Sequence, residues 1–214
     1  ETETEHDNGW ATALTQFRAV VKLKVVWLQA TVLVCAYSSY KAFDQYALFA
    51  VRGHGIDEID AAQIVTAGAW TRPIAALALG LLGDRFGISR MALVCFVLLI
   101  ISHSLFAFTG QALGSLSMIL LNTLVTGVAI FGLRGLYFGL LEEGQIPLAV
   151  TGTAVGLISV IGYTPDVYVA AIAGYLIDQN PGLLGFQHLF VLLLVFSIVG
   201  ALAALAFTRQ ARST

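Results

Sequence analysis

Long runs of apolar residues, separated by short polar stretches, dominate this chain of 214 residues. A helix needs about 20 predominantly apolar residues to cross the hydrocarbon core of a bilayer. The predicted spans are Val25 to Val51, Ala61 to Leu82, Met91 to Phe108, Leu116 to Leu141, Leu148 to Ile177 and Leu189 to Phe207. These runs are much longer than the roughly 10 residues of a tilted barrel strand, and they lack the alternation of such strands. The predicted fold class is an all-α membrane protein with six transmembrane helices.

The division between the third and fourth spans depends on a turn. No charged residue occurs from Met91 to Leu133, a stretch of 43 residues that is too long for a single crossing. The segment from Thr109 to Ser115 contains two glycines and several polar residues, which are typical of a turn. We therefore predict two spans in this stretch.

The composition agrees with this pattern and excludes several classes of protein. Hydrophobic residues make up 58% of the chain and charged residues 11%, whereas charged residues make up roughly 25% of an ordinary soluble domain. The mean hydropathy of +0.85 means that a water-soluble fold would expose too much apolar surface. The net charge of -2 provides no basic surface for nucleic acid. Cys35 and Cys95 lie in apolar runs and are expected to be buried thiols rather than a disulfide.

Basic residues are distributed unevenly over the two faces of the predicted bundle. With six spans and both termini on one side, the opposite face holds only Arg52. The terminal face holds seven basic residues, namely Arg18, Lys22, Lys24, Arg85, Arg90, Arg209 and Arg212. Because cytoplasmic loops carry the excess of Lys and Arg, we expect both termini to be cytoplasmic.

The first residues differ from the rest of the chain. The stretch Glu1 to Gly9 is acidic, contains no initiator Met and has no apolar run, so we expect a linker. Apolar residues from Trp10 to Val21 then recur at helical spacing. This pattern fits either a short helix in the membrane interface or an extension of the first span. The predicted division is a linker and interfacial helix (1–20), a transmembrane domain (21–208) and a cytoplasmic tail (209–214).

The loop between the second and third predicted spans carries the most specific motif. It reads Gly80-Leu81-Leu82-Gly83-Asp84-Arg85-Phe86-Gly87-Ile88-Ser89-Arg90. This string resembles the signature of the major facilitator superfamily, Gly-x-Leu-x-Asp-Arg-x-Gly-x-x-Arg, at every named position and in the expected place. The resemblance implies one six-helix half of a two-half secondary transporter, and a bacterial inner membrane as its location.

Two further segments favour the C-terminal half. Arg134 to Pro147 and Gly162 to Asp166 look like that half of bacterial sugar-phosphate and hexuronate permeases. The acidic stretch at the start is then expected to belong to the loop between the halves. The resemblance implies a complementary six-helix half as partner, from the same gene or a separate chain, besides the lipid bilayer and a small-molecule solute. No cofactor, metal or nucleic-acid partner is expected.

The signature loop is expected to act as a cytoplasmic gate. Gly80 and Gly83 permit close packing of helix ends, and Gly87 permits a turn. Asp84 can accept hydrogen bonds from the free N–H groups of a neighbouring helix N-terminus.

A charge cluster across two loops is also predicted. Arg85 and Arg90 are free to meet carboxylates, and Glu142 and Glu143 lie in the next cytoplasmic loop. By the resemblance, ion pairs in this cluster break and reform during alternating access. The alternative is that the two arginines only determine topology.

Charged side chains at bilayer depth are costly and tend to face a bundle interior or a wet cavity. In the first span, Tyr37, Tyr40, Lys41 and Asp44 share one helical face because they follow i, i+3, i+4, i+7 spacing. We predict that this face binds the solute, since the resemblance makes the first helix of a half line the cavity. Lys41 then meets an anionic group, and the tyrosines hydrogen-bond to the solute or stack on it. The alternative is that Lys41 and Asp44 neutralise each other near the outer interface.

Arg134 lies in the fourth span, which also lines the cavity by the resemblance, and Tyr137 follows one turn later. The glycines around Arg134 let a neighbouring helix approach closely. Glu142 lies about 12 Å from Arg134 along the helix, too far for direct contact. The partner of Arg134 is therefore expected to be a solute anion, Asp84 or a carboxylate of the second half.

A charge and a proline coincide in two other spans. Arg72 precedes Pro73 in the second span, and Asp166 follows Pro165 in the fifth. Proline bends a helix and frees a carbonyl, which Thr164 or water is expected to satisfy in the fifth span. Arg72 and Asp166 either pair with each other or meet the second half, because the second and fifth helices form the interface between halves in this family.

Other functions fit less well. The chain has no Gly-x-Ser-x-Gly or His-Glu-x-x-His motif and no phosphate-binding loop, so we expect neither an enzyme nor an ATP-driven pump. His103 in the third span is expected to be a core residue that bonds to Ser102 or Ser104.

The intramembrane charges favour an anionic solute. Lys41, Arg72 and Arg134 exceed Asp44 and Asp166 by one positive charge, and the two aspartates are the candidates for proton coupling. We predict a secondary active transporter half that moves a small polar, anionic solute by alternating access, coupled to an ion or proton. The alternative is a non-transporting half or an assembly protein that needs a partner half.

Overall fold

The structure is a computed structural model that describes residues 13–110 and 115–211. Within these ranges all regular elements are helical. They are α1 (Ala13–Val21), α2 (Lys24–Gly53), α3 (Glu58–Phe86), α4 (Ile88–Phe108), α5 (Leu116–Leu136), α6 (Gly139–Glu143), α7 (Leu148–Gly162), α8 (Pro165–Gln179) and α9 (Leu183–Ala211). The predicted fold class, an all-α membrane protein, is confirmed for the described residues.

The number of spans agrees with the hydropathy pattern. Five segments of the described chain are long and apolar enough to cross a membrane, with α7 and α8 together forming one of them. A sixth is obtained when α1 and α2 are counted together, although they meet at a bend of 77°. The last helix, Leu183–Ala211, extends beyond its predicted bounds at both ends.

The bend at the start of α2 excludes a straight extension of the first span into α1. Trp27 Nε1 donates to the Val21 carbonyl at 2.8 Å, so the turn satisfies a carbonyl that the end of α1 leaves free. Gln16 of α1 also accepts a hydrogen bond from Thr153 of α7 at 3.3 Å. The interfacial location of α1 and the domain bounds stay predictions.

Parts of three predicted segments lie outside the described residues. They are residues 1–12 of the linker, 111–114 of the turn after the third span, and 212–214 of the tail.

The helix α2 is irregular in its second half. It contains a 3-10 turn at Phe43–Gln45 and a π-helical turn at Phe49–Gly53. Asp44 lies in the 3-10 turn, and its carboxylate still lies 3.9 Å from the Lys41 ammonium. Irregular turns within long helices frequently mark functional sites.

Proline has different effects in the two spans that contain it. The fifth span breaks between α7 and α8, with Pro165 in the first turn of α8, where it costs no hydrogen bond. Thr164 Oγ1 donates to the Ile161 carbonyl at 2.7 Å, as predicted. The helix α3 instead continues through Pro73 without a break.

The core lies between α2, α4, α5 and α9, where phenylalanine rings pack edge to face. His103 is completely buried there, and its Nδ1 lies 3.0 Å from the Ser197 hydroxyl of α9. The predicted core role of His103 is confirmed, but its predicted partners on α4 are wrong. Cys35 and Cys95 are buried free thiols, as expected.

Two spans pack incompletely. Of the five apolar segments, α3 is the least buried, followed by the segment that α7 and α8 form together. Four large residues at helical spacing form an exposed stripe along α3, namely Trp70, Ile74, Leu77 and Leu81.

Candidate functional site

An ion pair between the first and fifth spans forms the centre of the candidate site. Lys41 Nζ lies 3.1 Å from Asp166 Oδ1, and the Tyr37 hydroxyl donates to Asp166 Oδ2 at 3.0 Å. Both carboxylate oxygens are therefore engaged by α2. Asp44 lies at 3.9 Å from the same ammonium and is a much weaker second partner.

The helix break in the fifth span positions Asp166. Pro165 begins α8, and Asp166 lies in its first turn, where the helix dipole favours a negative charge. A straight helix would carry no such N-terminus at mid-span. Gly162 also lets α7 approach Leu33 of α2, because a Cβ at that position would overlap the leucine side chain.

Aromatic rings surround the pair. The Tyr37 ring packs edge-on against Tyr163 at 4.8 Å and lies 5.3 Å from Tyr40. Tyr163 comes from the break itself, two residues before Pro165. The rings provide both stacking surfaces and hydroxyl groups beside the charges.

Two arginines lie on rings beside this cluster. The Arg134 guanidinium is 4.2 Å from the centre of the Tyr40 ring, and the Arg72 guanidinium is 4.7 Å from the centre of the Phe131 ring. Such geometry gives a cation–π attraction. The two rings are themselves 6.2 Å apart.

The charged groups are at least partly exposed, although they lie within the membrane spans. The side chains of Lys41, Asp44 and Asp166 are 27%, 72% and 47% exposed, and Arg72 and Arg134 are exposed as well. We call these five residues the charged face. Lipid tails cannot solvate such groups, so the charged face requires water or a second polar surface against it.

The structure brings together most of the predicted solute-binding residues. Lys41 pairs mainly with Asp166 rather than with Asp44, so neutralisation by Asp44 alone is wrong. The predicted pair of Arg72 with Asp166 does not form. The Arg134 guanidinium contacts the Tyr40 ring rather than Asp84.

Tyr137 is the exception among these residues. It is buried, and its carbonyl accepts from Gln29 Nε2 at 2.9 Å in the core. Tyr137 follows α5 with helical backbone angles, and its N–H donates to the Leu133 carbonyl, but its side chain is buried whereas Arg134 is exposed. Its role in solute binding stays a prediction.

On the cytoplasmic side, Glu143 holds the start of α4. Its Oε2 accepts from the Ser89 backbone N–H at 2.7 Å, and its Oε1 accepts from the Ser89 hydroxyl at 2.6 Å. The N-cap of α4 is Gly87, with φ of 99° and no capping side chain. The glycine turn predicted at Gly87 is present, and Glu143 supplies the missing cap.

The predicted ion pairs across the loops do not form. No Arg–Glu pair joins Arg85 or Arg90 to Glu142 or Glu143 in this structure. Arg90 donates to the Phe86 carbonyl at 3.3 Å, and Arg85 lies over the Phe86 ring at 5.4 Å. Glu143 is already engaged by Ser89, so the two loops are joined by hydrogen bonds instead.

Two motif positions differ from expectation. Asp84 is exposed and takes no hydrogen bond within residues 13–110 and 115–211, so Glu143, not Asp84, caps the neighbouring helix. A Cβ at Gly80 would meet nothing within 4 Å, whereas one at Gly83 would lie 2.8 Å from Leu136 Cδ2. The close approach predicted for Gly80 and Gly83 is present at Gly83 but not at Gly80.

Sequence reasoning missed two ring residues of the site. Phe131 supports Arg72 and stands three residues before Arg134 on α5, a spacing that puts both on one face. Tyr163 stands three residues before Asp166. In both cases helical spacing from a charged residue could have found the ring.

The comparisons with known proteins agree with a membrane protein. The chain matches no protein-family model. It is similar to the inner membrane protein YihN of Escherichia coli (strain K12), with 24% identity over 217 positions that cover 97% of the chain and 50% of YihN. It is also similar to the inner membrane protein YqcE of that strain, with 24% identity over 189 positions that cover 84% of the chain and 43% of YqcE. The chain spans about half the length of these curated relatives. Its apolar spans and these relatives together indicate an integral inner membrane protein.

Proposed function

We propose that this chain is one six-helix half of a secondary transporter of the major facilitator type. In this proposal it lies in a bacterial inner membrane with both termini in the cytoplasm, and it moves a small polar, anionic solute by alternating access. The charged face carries the proposal, since it combines exposed charges, tyrosines and helix irregularities near the middle of the spans.

A simple structural role explains the charged face poorly. An ion pair that only stabilised the bundle would be enclosed, because exposure to lipid is costly for either charge. Lys41 and Asp166 are instead partly exposed, and two further cations lie beside them. A water-filled path between two halves satisfies these groups without burying them.

The exposed apolar surface of the bundle supports a second half. It includes the stripe on α3 and much of the poorly buried α7 and α8. The chain also covers 50% of YihN and 43% of YqcE. Another set of helices against these surfaces would cover the apolar stripe and enclose the charges between the halves.

Coupling to a proton fits the Asp166 contacts. A proton on Asp166 removes the negative charge that holds Lys41 at 3.1 Å, and it weakens the acceptor of the Tyr37 hydroxyl. The fifth span would then be released from the first. Because that contact ties α8 to α2, its loss offers a way to link proton binding to movement of the helices.

Uptake into proteoliposomes tests the proposal. The full-length protein, purified and reconstituted, is given radiolabelled glucuronate or glucose 6-phosphate, or neutral glucose, with an inward proton gradient. We expect uptake of at least one anion above protein-free vesicles, collapse of that uptake with a protonophore, and loss of it in Asp166→Asn. Asp178→Asn, an exposed aspartate at the end of α8, is the matched control. Absence of uptake of either anion by the wild-type protein contradicts the proposal.

A further inference from the structure

A cleft of about 260 Å³ lies where the start of α2, the loop before α7 and the last turn of α9 meet. Gly144 brings the loop against both helices, because a Cβ there would lie 2.8 Å from Val25 Cγ2 and 3.2 Å from Phe207 Cζ. The next residue, Gln145, is exposed and has a φ of 50°, a left-handed backbone that residues other than glycine rarely adopt. The apolar part of the wall includes Leu23, Val25, Ile146 and Pro147.

Basic residues stand next to the lining residues of this cleft. Lys22 and Lys24 flank Leu23 in the chain, and Arg209 precedes Gln210. All three basic side chains are exposed, and none has a carboxylate within 4.0 Å in the part of the chain that the structure describes. The cleft therefore combines an apolar wall with positive charges that the described residues do not neutralise.

The position of the cleft along the helices corresponds to the level of the lipid headgroups. It lies at the ends of two apolar segments, and α1 leaves α2 there at 77°, so α1 runs close to the membrane plane where α2 crosses the bilayer. Leu14 and Phe17 of α1 and Trp27 of α2 are exposed apolar side chains beside this bend. Tryptophan is enriched at the boundary between hydrocarbon and headgroups. The cleft is thus accessible from the surface of the bilayer.

An amphiphile fits this cleft better than a soluble anion does. Free phosphate gains nothing from an apolar wall, whereas a phospholipid carries its phosphate next to glycerol and acyl chains. Basic pockets between transmembrane helices bind anionic headgroups, and each Lys or Arg near the membrane surface adds to the attraction. The cleft is also distant from the charged face, since Lys24 and Lys41 are about 25 Å apart along α2.

We propose that this cleft binds the headgroup of an anionic phospholipid. The phosphate lies among Lys22, Lys24 and Arg209, and the glycerol and the first acyl carbons lie against Leu23 and Pro147. The lipid joins α2, α9 and the loop before α7, which are distant in the sequence, so its binding stabilises the bundle. The site is separate from the solute site and does not depend on the transport function proposed above.

Native mass spectrometry of the full-length protein in detergent tests this assignment. Phosphatidylglycerol and phosphatidylethanolamine are titrated in turn, and we expect phosphatidylglycerol to bind with the lower Kd. Lys24→Gln combined with Arg209→Gln is expected to raise that Kd about tenfold or more, since each basic residue near the membrane surface changes the affinity about fivefold. Arg85→Gln combined with Arg90→Gln removes two exposed charges beside the turn between α3 and α4, and this control should leave the Kd unchanged.

Photo-crosslinking of the wild-type protein locates the lipid without any variant. The probe is phosphatidylglycerol with a diazirine on the first carbons of one acyl chain, and crosslinked peptides are identified by mass spectrometry. We expect labelling within residues 22–25 and 144–147, and loss of this labelling with an excess of unmodified phosphatidylglycerol. The same excess of phosphatidylethanolamine or of inorganic phosphate is expected to leave the labelling intact.

Two kinds of result would overturn the lipid site. Equal affinity for the two lipids, or the same loss of phosphatidylglycerol affinity in both double variants, would show a general attraction to basic surfaces rather than a site. Displacement of the probe by inorganic phosphate would show that the cleft binds a soluble anion instead. Either result leaves the proposed transport function standing, because uptake of a solute is measured separately.

Discussion

The Lys41 ammonium and the Asp166 carboxylate lie 3.1 Å apart, and they join the first span to the break in the fifth. Neither group is enclosed, since their side chains are 27% and 47% exposed on the charged face. The contact is therefore positioned to hold two helices together and to respond to anything that enters the space in front of it.

Exchange of the two charges tests whether this contact operates as a pair. Lys41→Asp or Asp166→Lys alone places like charges together in the membrane, and we expect each to reduce uptake about tenfold or more, which corresponds to about 1.4 kcal/mol. The double variant restores the pair and is expected to recover part of the uptake and of the melting temperature. Simple addition of the two single effects would show that the residues are not coupled.

The cap that Glu143 provides to α4 is expected to contribute to stability. Glu143→Gln removes the charge that accepts from the Ser89 N–H and hydroxyl, and we expect a loss of about 1 kcal/mol. For a chain of this size the melting temperature then falls by about 2–4 °C. Its neighbour Glu142, which is exposed, is the control, and Glu142→Gln should leave the melting temperature unchanged. Equal effects of the two substitutions would refute the assigned cap.

Close packing between α3 and α5 depends on glycine. A Cβ at Gly127 of α5 would lie 2.9 Å from the backbone oxygen of Gly68 on α3, and backbone cannot move aside as a flexible side chain does. We expect Gly127→Ala to destabilise the bundle by about 1–3 kcal/mol through overpacking, measured by thermal unfolding in detergent. Gly152→Ala on α7, where a Cβ would meet nothing within 4 Å, should be tolerated. A tolerated Gly127→Ala would show that the helices are further apart.

Cysteine labelling checks the predicted orientation. Cys35 and Cys95 are buried, so background labelling by a membrane-impermeant maleimide should be low. We expect Gln179→Cys, which is exposed after the fifth span, to be labelled from the periplasmic side of intact cells. Glu142→Cys should be labelled only after the membrane is opened. The reverse pattern would invert the topology.

Local spacing predicted one part of the site well. The face formed by Tyr37, Tyr40 and Lys41 follows from helical periodicity alone, because these residues lie in the regular part of α2. Periodicity does not reveal the 3-10 turn that contains Asp44, although Asp44 remains 3.9 Å from Lys41 on the charged face. Tyr137 is buried although it stands three residues after the exposed Arg134, because periodicity does not reveal which side chains the neighbouring helices cover.

The partner of each charge was less predictable. Asp166 reaches Lys41 because the fifth span breaks at Pro165 and α8 packs against α2. That packing depends on contacts distant in the sequence, so spacing along one helix cannot indicate it. The bond from Ser89 to Glu143 is of the same kind, since it joins two loops that only the folded bundle brings together.

Water access to the charged face tests the central claim most directly. Asp44, whose side chain is 72% exposed, is replaced by cysteine in the full-length protein. Ile101, which is exposed on the surface of α4, is replaced by cysteine as a lipid-facing control. A charged methanethiosulfonate reagent is then added to proteoliposomes, and modification is measured by mass spectrometry. The proposed aqueous path predicts that Asp44→Cys reacts rapidly, that Ile101→Cys does not react, and that a transported anion slows the reaction at Asp44→Cys. If Asp44→Cys is as inert as Ile101→Cys, the charged face does not line a water-filled path and the proposed transport function is contradicted.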